Sequence, residues 1–194
     1  MPENACRDFF EKHAHNKDKV KELQKVADPI AWEQESASQF SPGIVQNHET
    51  VARQVVHPTF FNDETQKIKP SWFDDITSRG FSTDRLHHTT IEDAAKRALD
   101  RVEEWNKKNP EKTPRSLHSF GSLPVERIRS VECEGQRAFG VYDTGEKDNP
   151  AHADVCQVIP YKQSIEARDI RFQLYDMTNS LPITASAAAN QSTE

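Results

Sequence analysis

Several features that identify common classes of protein are missing from this chain of 194 residues. No stretch approaches the roughly 20 consecutive apolar residues that a membrane-spanning helix needs. The N-terminal segment ACRDFFEKHAHNKDK is too polar for the apolar core of a secretory signal peptide. The three cysteines, Cys6, Cys133 and Cys156, are too few and too far apart to predict a disulfide framework. We therefore expect a soluble, cytoplasmic protein that does not associate with membranes.

The chain also lacks the short motifs that predict common catalytic and cofactor sites. Its six glycines are scattered singly, so neither a P-loop nor a dinucleotide-binding loop is present. The segment SFGSLP at 119–124 lacks the second glycine of a hydrolase nucleophile elbow. The eight histidines show none of the paired spacings that are typical of zinc ligands. These absences lead us to expect no cofactor and no metal.

The composition is acidic and poor in apolar residues. Apolar residues make up 35% of the chain, the mean hydropathy is -0.84 and the formal net charge is -6. A surface that binds nucleic-acid phosphates in general is basic, so this charge argues against general nucleic-acid binding. It still allows a local basic patch. The length suits one domain with a small core.

The hydrophobic pattern predicts an α+β fold, with N-terminal helices and a small mixed or antiparallel sheet packed on one amphipathic helix. The clearest element is a helix over 91–107, with small alanines on its apolar face and Thr90 as its cap. Further helices are predicted over 3–27 (with a break near Asn16), from Pro29 to before Ser41, and over 72–78, 124–130 and 164–177, and strands over 48–57, 116–120, 136–143 and 151–159. The pattern over 48–57 also allows a helix, and the pattern over 164–177 also allows a strand. The predicted regions are a helical region at 1–46, an α+β domain at 47–178 and a disordered tail at 179–194.

A long segment, 51–85, places arginine, histidine and serine among aromatic residues, as loops that carry sites often do. Arg53 lies in a valine-rich strand, where a guanidinium needs an anion or a carboxylate as its partner. A salt bridge to an aspartate would make Arg53 structural, whereas a phosphate or a carboxylate of a ligand would make it functional. The candidate catalytic residues are Arg53, His57, Ser82 and His152.

Four blocks, VARQVVHPTFF, KIKPSWF, GFSTDR and DNPAHADV, resemble in order and rough spacing an uncharacterised bacterial protein family. Members of that family show an arginine-rich strand, a Pro-Ser-x-Phe segment, a short serine-containing strand and a late Pro-Ala-His-Ala strand. The resemblance covers about residues 50–159 and implies a small bacterial α+β domain, but no activity. This chain differs by its helix at 91–107 and the basic connector after it. If the family shares a site, the resemblance implies Arg53, Ser71, Ser82 and His152.

The first functional hypothesis is a non-catalytic accessory or interaction protein of a bacterial operon, in defence or stress, whose partner is another protein. Its support is the lack of a catalytic signature together with an aromatic loop that we expect to be exposed. The partner-binding residues would then be Phe60, Phe61, Trp72 and Phe73.

The second hypothesis is a small enzyme that acts on a nucleotide or on a nucleic-acid phosphate. Arg53 would clamp the anion, and His57 or His152 would act as general acid or base. An arginine strand followed by a serine strand is also the layout of ADP-ribosyltransferase-like folds, although the glutamate that such enzymes need cannot be identified here. Whether the protein is an enzyme stays open at this point.

Overall fold

The computed structural model of the protein describes residues 4–160 and 165–183. The α-helices are α1 (Ala5–Lys12), α2 (Lys19–Leu23), α3 (Ile91–Lys108), α4 (Val125–Arg129) and α5 (Ile165–Asp176), and 3-10 helices span Ala31–Gln34 and Pro70–Thr77. The strands are β1 (Thr50–His57), β2 (Phe61–Asn62), β3 (Lys67–Ile68), β4 (Phe81–Arg85), β5 (Ser116–Pro124), β6 (Glu132–Cys133), β7 (Gln136–Arg137), β8 (Phe139–Tyr142), β9 (His152–Gln157) and β10 (Asn179–Pro182). The predicted α+β class is confirmed. Among these residues, no helix is both long and apolar enough to cross a bilayer.

Six strands form one antiparallel sheet in the order β10-β5-β1-β4-β9-β8. Strand β1 pairs with β5 along its whole length, from Thr50 to His57. Its ladder with β4 consists of two pairs, Val51 with Arg85 and Ala52 with Asp84. Beyond Ala52, therefore, the two central strands of the sheet separate.

One face of the sheet carries the largest hydrophobic cluster. Val51, Val55 and Val155 of the sheet belong to it, together with residues of the Pro70–Thr77 helix, α4 and α5. The helical residues of this cluster are Trp72, Phe73, Ile76, Val125, Ile128, Ile170 and Leu174. Burial of these apolar side chains is the main favourable contribution to the free energy that holds the three helices on the sheet.

The opposite face of the sheet is covered in two halves. Ala52, Leu117 and Phe120 pack against the alanines of α3, and Tyr142 and Cys156 pack against the N-terminal helices. Small side chains let α3 approach the strands closely. The helix also begins as predicted, because the Thr90 hydroxyl accepts a hydrogen bond from the Asp93 amide at 3.1 Å.

The four aromatic residues that we expected to be exposed lie mostly in the core. Phe61, Trp72 and Phe73 are buried and Phe60 is half-buried, so the prediction of an exposed aromatic loop is wrong. The segment folds back as a 3-10 helix, and Trp72 Nε1 donates to the Gln54 carbonyl at 3.0 Å. The indole also fills the space above Gly121, where a Cβ atom would collide with it.

The C-terminal boundary also differs from the prediction. Asn179–Pro182, predicted as the start of a disordered tail, form the edge strand β10 and pair with β5. The cause is an apolar alternation that continues past 178, since Leu181 and Ile183 pack against the α3 cluster. Residues 184–194 of the predicted tail lie outside the described residues.

Candidate functional site

A cleft of about 370 Å³ lies where β1 and β4 separate, and its lining comes from both faces of the sheet, with Asp75 from the Pro70–Thr77 helix and Arg101 from α3. We call it the arginine cleft. Its charged and histidine lining residues come from elements that are far apart in sequence: Arg53, Asp75, Arg79, Asp84, Arg101, Arg115 and His152. Its polar and aromatic lining also includes Gln54, Thr59, Phe60, Ser82 and Thr83.

Arg53 projects from β1 toward the Pro70–Thr77 helix, beside the place where the two strands separate. Its Nη2 lies 2.7 Å from Asp75 Oδ2, and its guanidinium carbon is 4.5 Å from the centre of the Phe81 ring. Nη1 is buried and has no hydrogen-bond partner within the described part of the chain. Burial lowers the pKa of Arg53, and the neighbouring Asp75 offsets part of that effect. One nitrogen of this cation is therefore left unsatisfied, which costs free energy in a buried group.

Asp75 connects two of the arginines. Its Oδ2 accepts from Arg53 and its Oδ1 accepts from Arg79 Nε at 2.9 Å. Burial raises the pKa of Asp75, but the hydrogen bonds and charges of Arg53 and Arg79 hold the net pKa below its ordinary value. The carboxyl group is thus ionised at neutral pH, and one negative charge is shared by two positive ones.

Arg101 on α3 and Arg115 just before β5 line the other side of the cleft. Neither makes a salt bridge with an acidic side chain of the described residues; Arg101 Nε donates weakly to the Arg97 carbonyl at 3.3 Å. The guanidinium of Arg115 lies 3.6 Å from the centre of the Trp105 ring. Stacking of this kind uses the face of the guanidinium and leaves its in-plane N–H groups available.

His152 lines the cleft from the start of β9. Its Nδ1 lies 3.0 Å from the Thr144 carbonyl oxygen, which can only accept, so Nδ1 carries a proton. In the neutral ring, Nε2 then holds the lone pair. Asp84, directly opposite on β4, accepts from Arg97 Nη2 at 3.1 Å and from Asn149 Nδ2 at 2.7 Å, so its charge is compensated.

Three of the four predicted catalytic residues meet in this cleft: Arg53, Ser82 and His152. The structural interpretation of Arg53 also holds, because it pairs with Asp75. The Ser82 hydroxyl donates to Asp154 at 3.2 Å, and Ser82 is diagonal, not adjacent, to His152 in the strand register. The geometry therefore contains no Ser–His nucleophilic pair.

His57 does not belong to this site. It lies at the far end of β1, where its Nε2 is 2.7 Å from Asp63 Oδ2. Four residues along a strand separate it from Arg53 by about 13 Å. Ser71 is also elsewhere, in a groove of about 230 Å³ beside α5.

Sequence reasoning missed Arg79, Arg101 and Arg115. Their sequence positions give no common motif, and arginines outside strands are usually solvated. One signal was available on α3, where Arg97 and Arg101 are four residues apart and therefore lie on the same face. Each residue on its own was uninformative, because the convergence depends on the strand order.

A larger groove, of about 620 Å³, lies between Glu33 and α4, and both of its arginines pair with Glu33. Glu33 Oε1 accepts from Arg129, from Arg137 and from the Val141 amide. Arg129 also donates to the Val45 carbonyl at 2.9 Å. We interpret this groove as a structural junction that joins the N-terminal segment to the sheet.

Within the described residues, no group of three or more histidine, cysteine, aspartate or glutamate side chains is placed to hold a metal ion. No protein-family model, no curated protein and no solved structure matches the chain.

Proposed function

We propose that the protein binds a small phosphorylated ligand in the arginine cleft, with Arg53 as the central cation. One observation carries this proposal: four arginines line a single cleft in a chain whose net charge is -6. Arg53, Arg79, Arg101 and Arg115 repel one another, and a bound anion relieves that repulsion. Planar guanidinium groups also match the paired oxygens of a phosphate.

The size of the cleft favours a compact ligand. Its 370 Å³ is near the lower end of the range of roughly 300–1,000 Å³ that is typical of small-molecule sites. A nucleotide or a sugar phosphate suits this volume better than a nucleic-acid strand, which needs a continuous basic surface. The proposal therefore keeps a nucleotide as the partner class and excludes general nucleic-acid binding.

Isothermal titration calorimetry of the purified chain with inorganic phosphate and with adenosine monophosphate tests this proposal. Arg53→Gln should weaken binding by at least about tenfold, since it removes a charged, forked donor. Arg127→Gln is the matched control, because Arg127 is exposed on α4 and does not line the cleft. Arg53→Lys keeps the charge but loses the fork, so it should bind with intermediate affinity.

The proposal fails if neither anion binds, or if the folded Arg53→Gln protein binds as tightly as the unchanged chain. Circular dichroism and thermal melting of each variant separate a loss of binding from a loss of folding. Phosphate affinity is also measured for Arg79→Gln, which removes the other arginine that pairs with Asp75. Arg79 is more exposed than Arg53, and its removal leaves the Arg53–Asp75 pair in place.

A second function, hydrolysis of a phosphoester, is favoured by the orientation of His152. Its Nε2 lone pair would take a proton from a water molecule while the water oxygen forms a bond to phosphorus and the bond between phosphorus and the ester oxygen breaks. The ester oxygen leaves as an anion, which takes up a proton from the solvent. His152→Gln should then abolish turnover of a chromogenic phosphoester and leave phosphate binding unchanged. The ADP-ribosyltransferase-like alternative gains less support, since the acidic residues lining the cleft are Asp75 and Asp84, not a glutamate.

The hypothesis of an accessory protein in a bacterial operon now depends on a different surface. Phe172 on α5 is 42% exposed, beside a groove lined by Pro70, Phe73 and Tyr175. Native mass spectrometry of the protein purified from its own host should reveal a second polypeptide, and Phe172→Ser should release it. If the unchanged protein and the Phe172→Ser variant are both monomers without a second polypeptide, the accessory hypothesis loses the support of this surface.

A further inference from the structure

The arginines of the cleft form two groups that differ in how their charge is compensated. Arg53 and Arg79 share the single carboxylate of Asp75. Arg101 and Arg115 form no salt bridge within the described residues. Asp84 does not offset them, because it already accepts from Arg97 and Asn149. One positive charge thus remains uncompensated in the first group and two remain in the second.

The strand order separates these two groups in space. The strands that surround the cleft lie in the order β5-β1-β4-β9. Arg115 lies just before β5, and Arg101 lies on α3, which packs over β1 and β5. Arg79 precedes β4 on the other side of the gap. Arg53 projects from β1 and belongs to the same group as Arg79, because both pair with Asp75. The cleft therefore has two cationic walls, one on each side of the separated strands.

The second group is held in place before any ligand arrives. Arg115 stacks on Trp105, and Asn106 of α3 fixes its backbone twice: Asn106 Oδ1 accepts from the Arg115 amide at 2.8 Å, and Asn106 Nδ2 donates to the Arg115 carbonyl at 2.9 Å. A stacked guanidinium with a fixed backbone loses little conformational entropy when it binds an anion. No acidic side chain in the described part of the chain forms a salt bridge with it.

We infer that the ligand of the cleft carries two phosphoryl groups, as a nucleoside diphosphate does. Arg53 and Arg79 hold one phosphoryl group, and Arg101 and Arg115 hold the other. A phosphate monoester carries about -1.5 to -2 charges at neutral pH, which is less than the three uncompensated positive charges of the two walls. A diphosphate matches that charge more closely and reaches both walls. This inference rests on the proposed function and specifies its ligand class.

Calorimetric titration of the full chain with inorganic phosphate and with inorganic pyrophosphate, in metal-free buffer, tests this inference. We expect pyrophosphate to bind at least about tenfold more tightly than phosphate. Arg101→Gln combined with Arg115→Gln should remove most of that preference and change phosphate affinity by less than about twofold. Arg53→Gln should weaken both anions, and Arg127→Gln should weaken neither.

The possible results separate this inference from the proposed function. Equal affinities for the two anions, with phosphate binding that still depends on Arg53, would overturn the two-phosphoryl ligand and leave the proposed function intact. Equal weakening of both anions by the Arg101 and Arg115 changes would overturn it as well. If neither anion binds, both proposals fail. If the double variant does not fold, Arg101→Gln alone replaces it in the titrations. Arg101 makes one weak backbone hydrogen bond, whereas Arg115 packs on Trp105 and is more important for folding.

Discussion

Lys19 Nζ lies 2.6 Å from Asp154 Oδ2, and both side chains are almost fully buried. The pair ties α2 to the middle of β9. Burial raises the pKa of Asp154, but the charges of Lys19 and His152 and the hydrogen bonds from Lys19 and Ser82 hold the net pKa below its ordinary value. Burial lowers the pKa of Lys19, and Asp154 more than offsets this, so that the net pKa is raised. Since Ser82 also donates to Asp154, this ion pair supports one wall of the arginine cleft.

Replacing Lys19 by methionine should destabilise the protein strongly. The change leaves the Asp154 carboxylate buried without its counter-charge, and broken buried pairs typically cost about 3–5 kcal/mol. Urea unfolding at neutral pH measures the loss. Lys21→Met is the matched control, because Lys21 pairs with Asp18 on the surface and such exposed pairs contribute about 0–1 kcal/mol. Similar losses in the two variants would contradict the importance of burial at Lys19.

The loss in free energy of unfolding caused by Lys19→Met should be smaller at acidic pH. In the unchanged protein, Asp154 has a depressed pKa, so its contribution is present above the ordinary value of 3.8 and is lost as pH falls through the lower folded value. Without Lys19, burial raises the pKa of Asp154 above that ordinary value, and the variant gains relative stability as the carboxyl group takes up a proton. Urea unfolding at pH 7 and at about pH 4.5 checks this direction. A deficit that does not change with pH would contradict it.

Gly121→Ala should destabilise the fold through a collision with Trp72. A Cβ atom at Gly121 overlaps the six-membered ring of the indole, and overpacking of this kind costs about 1–3 kcal/mol. The same change in a Trp72→Phe background should cost less, because phenylalanine lacks the colliding ring atoms. A double-mutant cycle from urea unfolding measures this coupling. Additive losses would show that the indole is not the obstacle.

The three thiols should be unreactive while the protein is folded. Cys6 and Cys156 are fully buried, Cys133 is 8% exposed, and none forms a disulfide. Burial raises the pKa of Cys6 to about 12 and also raises that of Cys156, so the reactive thiolate is scarce at neutral pH. Titration with a thiol reagent at about pH 8 should find almost no reactive cysteine in the native protein and three in urea. Rapid reaction of Cys156 in the native state would contradict this packing.

The parts of the fold that could be predicted from sequence are those with a local cause. Helix α3 follows from the Thr90 cap and an apolar stripe, and β1 follows from a run of β-branched residues. The burial of Trp72 has no local cause, because the 3-10 helix that carries it packs over Gly121 of β5, which is distant in sequence. An aromatic segment without helical or strand periodicity was therefore wrongly predicted to be exposed.

In the candidate site, too, the residue types could be predicted from the sequence, whereas their spatial arrangement could not. Arg53, Ser82 and His152 could be chosen by residue type, since buried arginine and histidine need polar partners. Their convergence depends on β1, β4 and β9 being neighbours, and strand order is a long-range property. Arg101 and Arg115 could not be assigned because they resemble ordinary surface cations until α3 is placed over the gap.

The two walls of the arginine cleft are supported by one sheet, in which β1 and β4 are joined at Val51–Arg85 and Ala52–Asp84 and braced by β5 and β9. Their spacing is therefore set by hydrogen bonds and chain connectivity, without a hinge between lobes. A ligand would meet a receptor of nearly fixed width, and the backbone would move little on binding. Association should then be as fast as encounter and charge steering allow, so that related ligands would differ mainly in how long they stay bound.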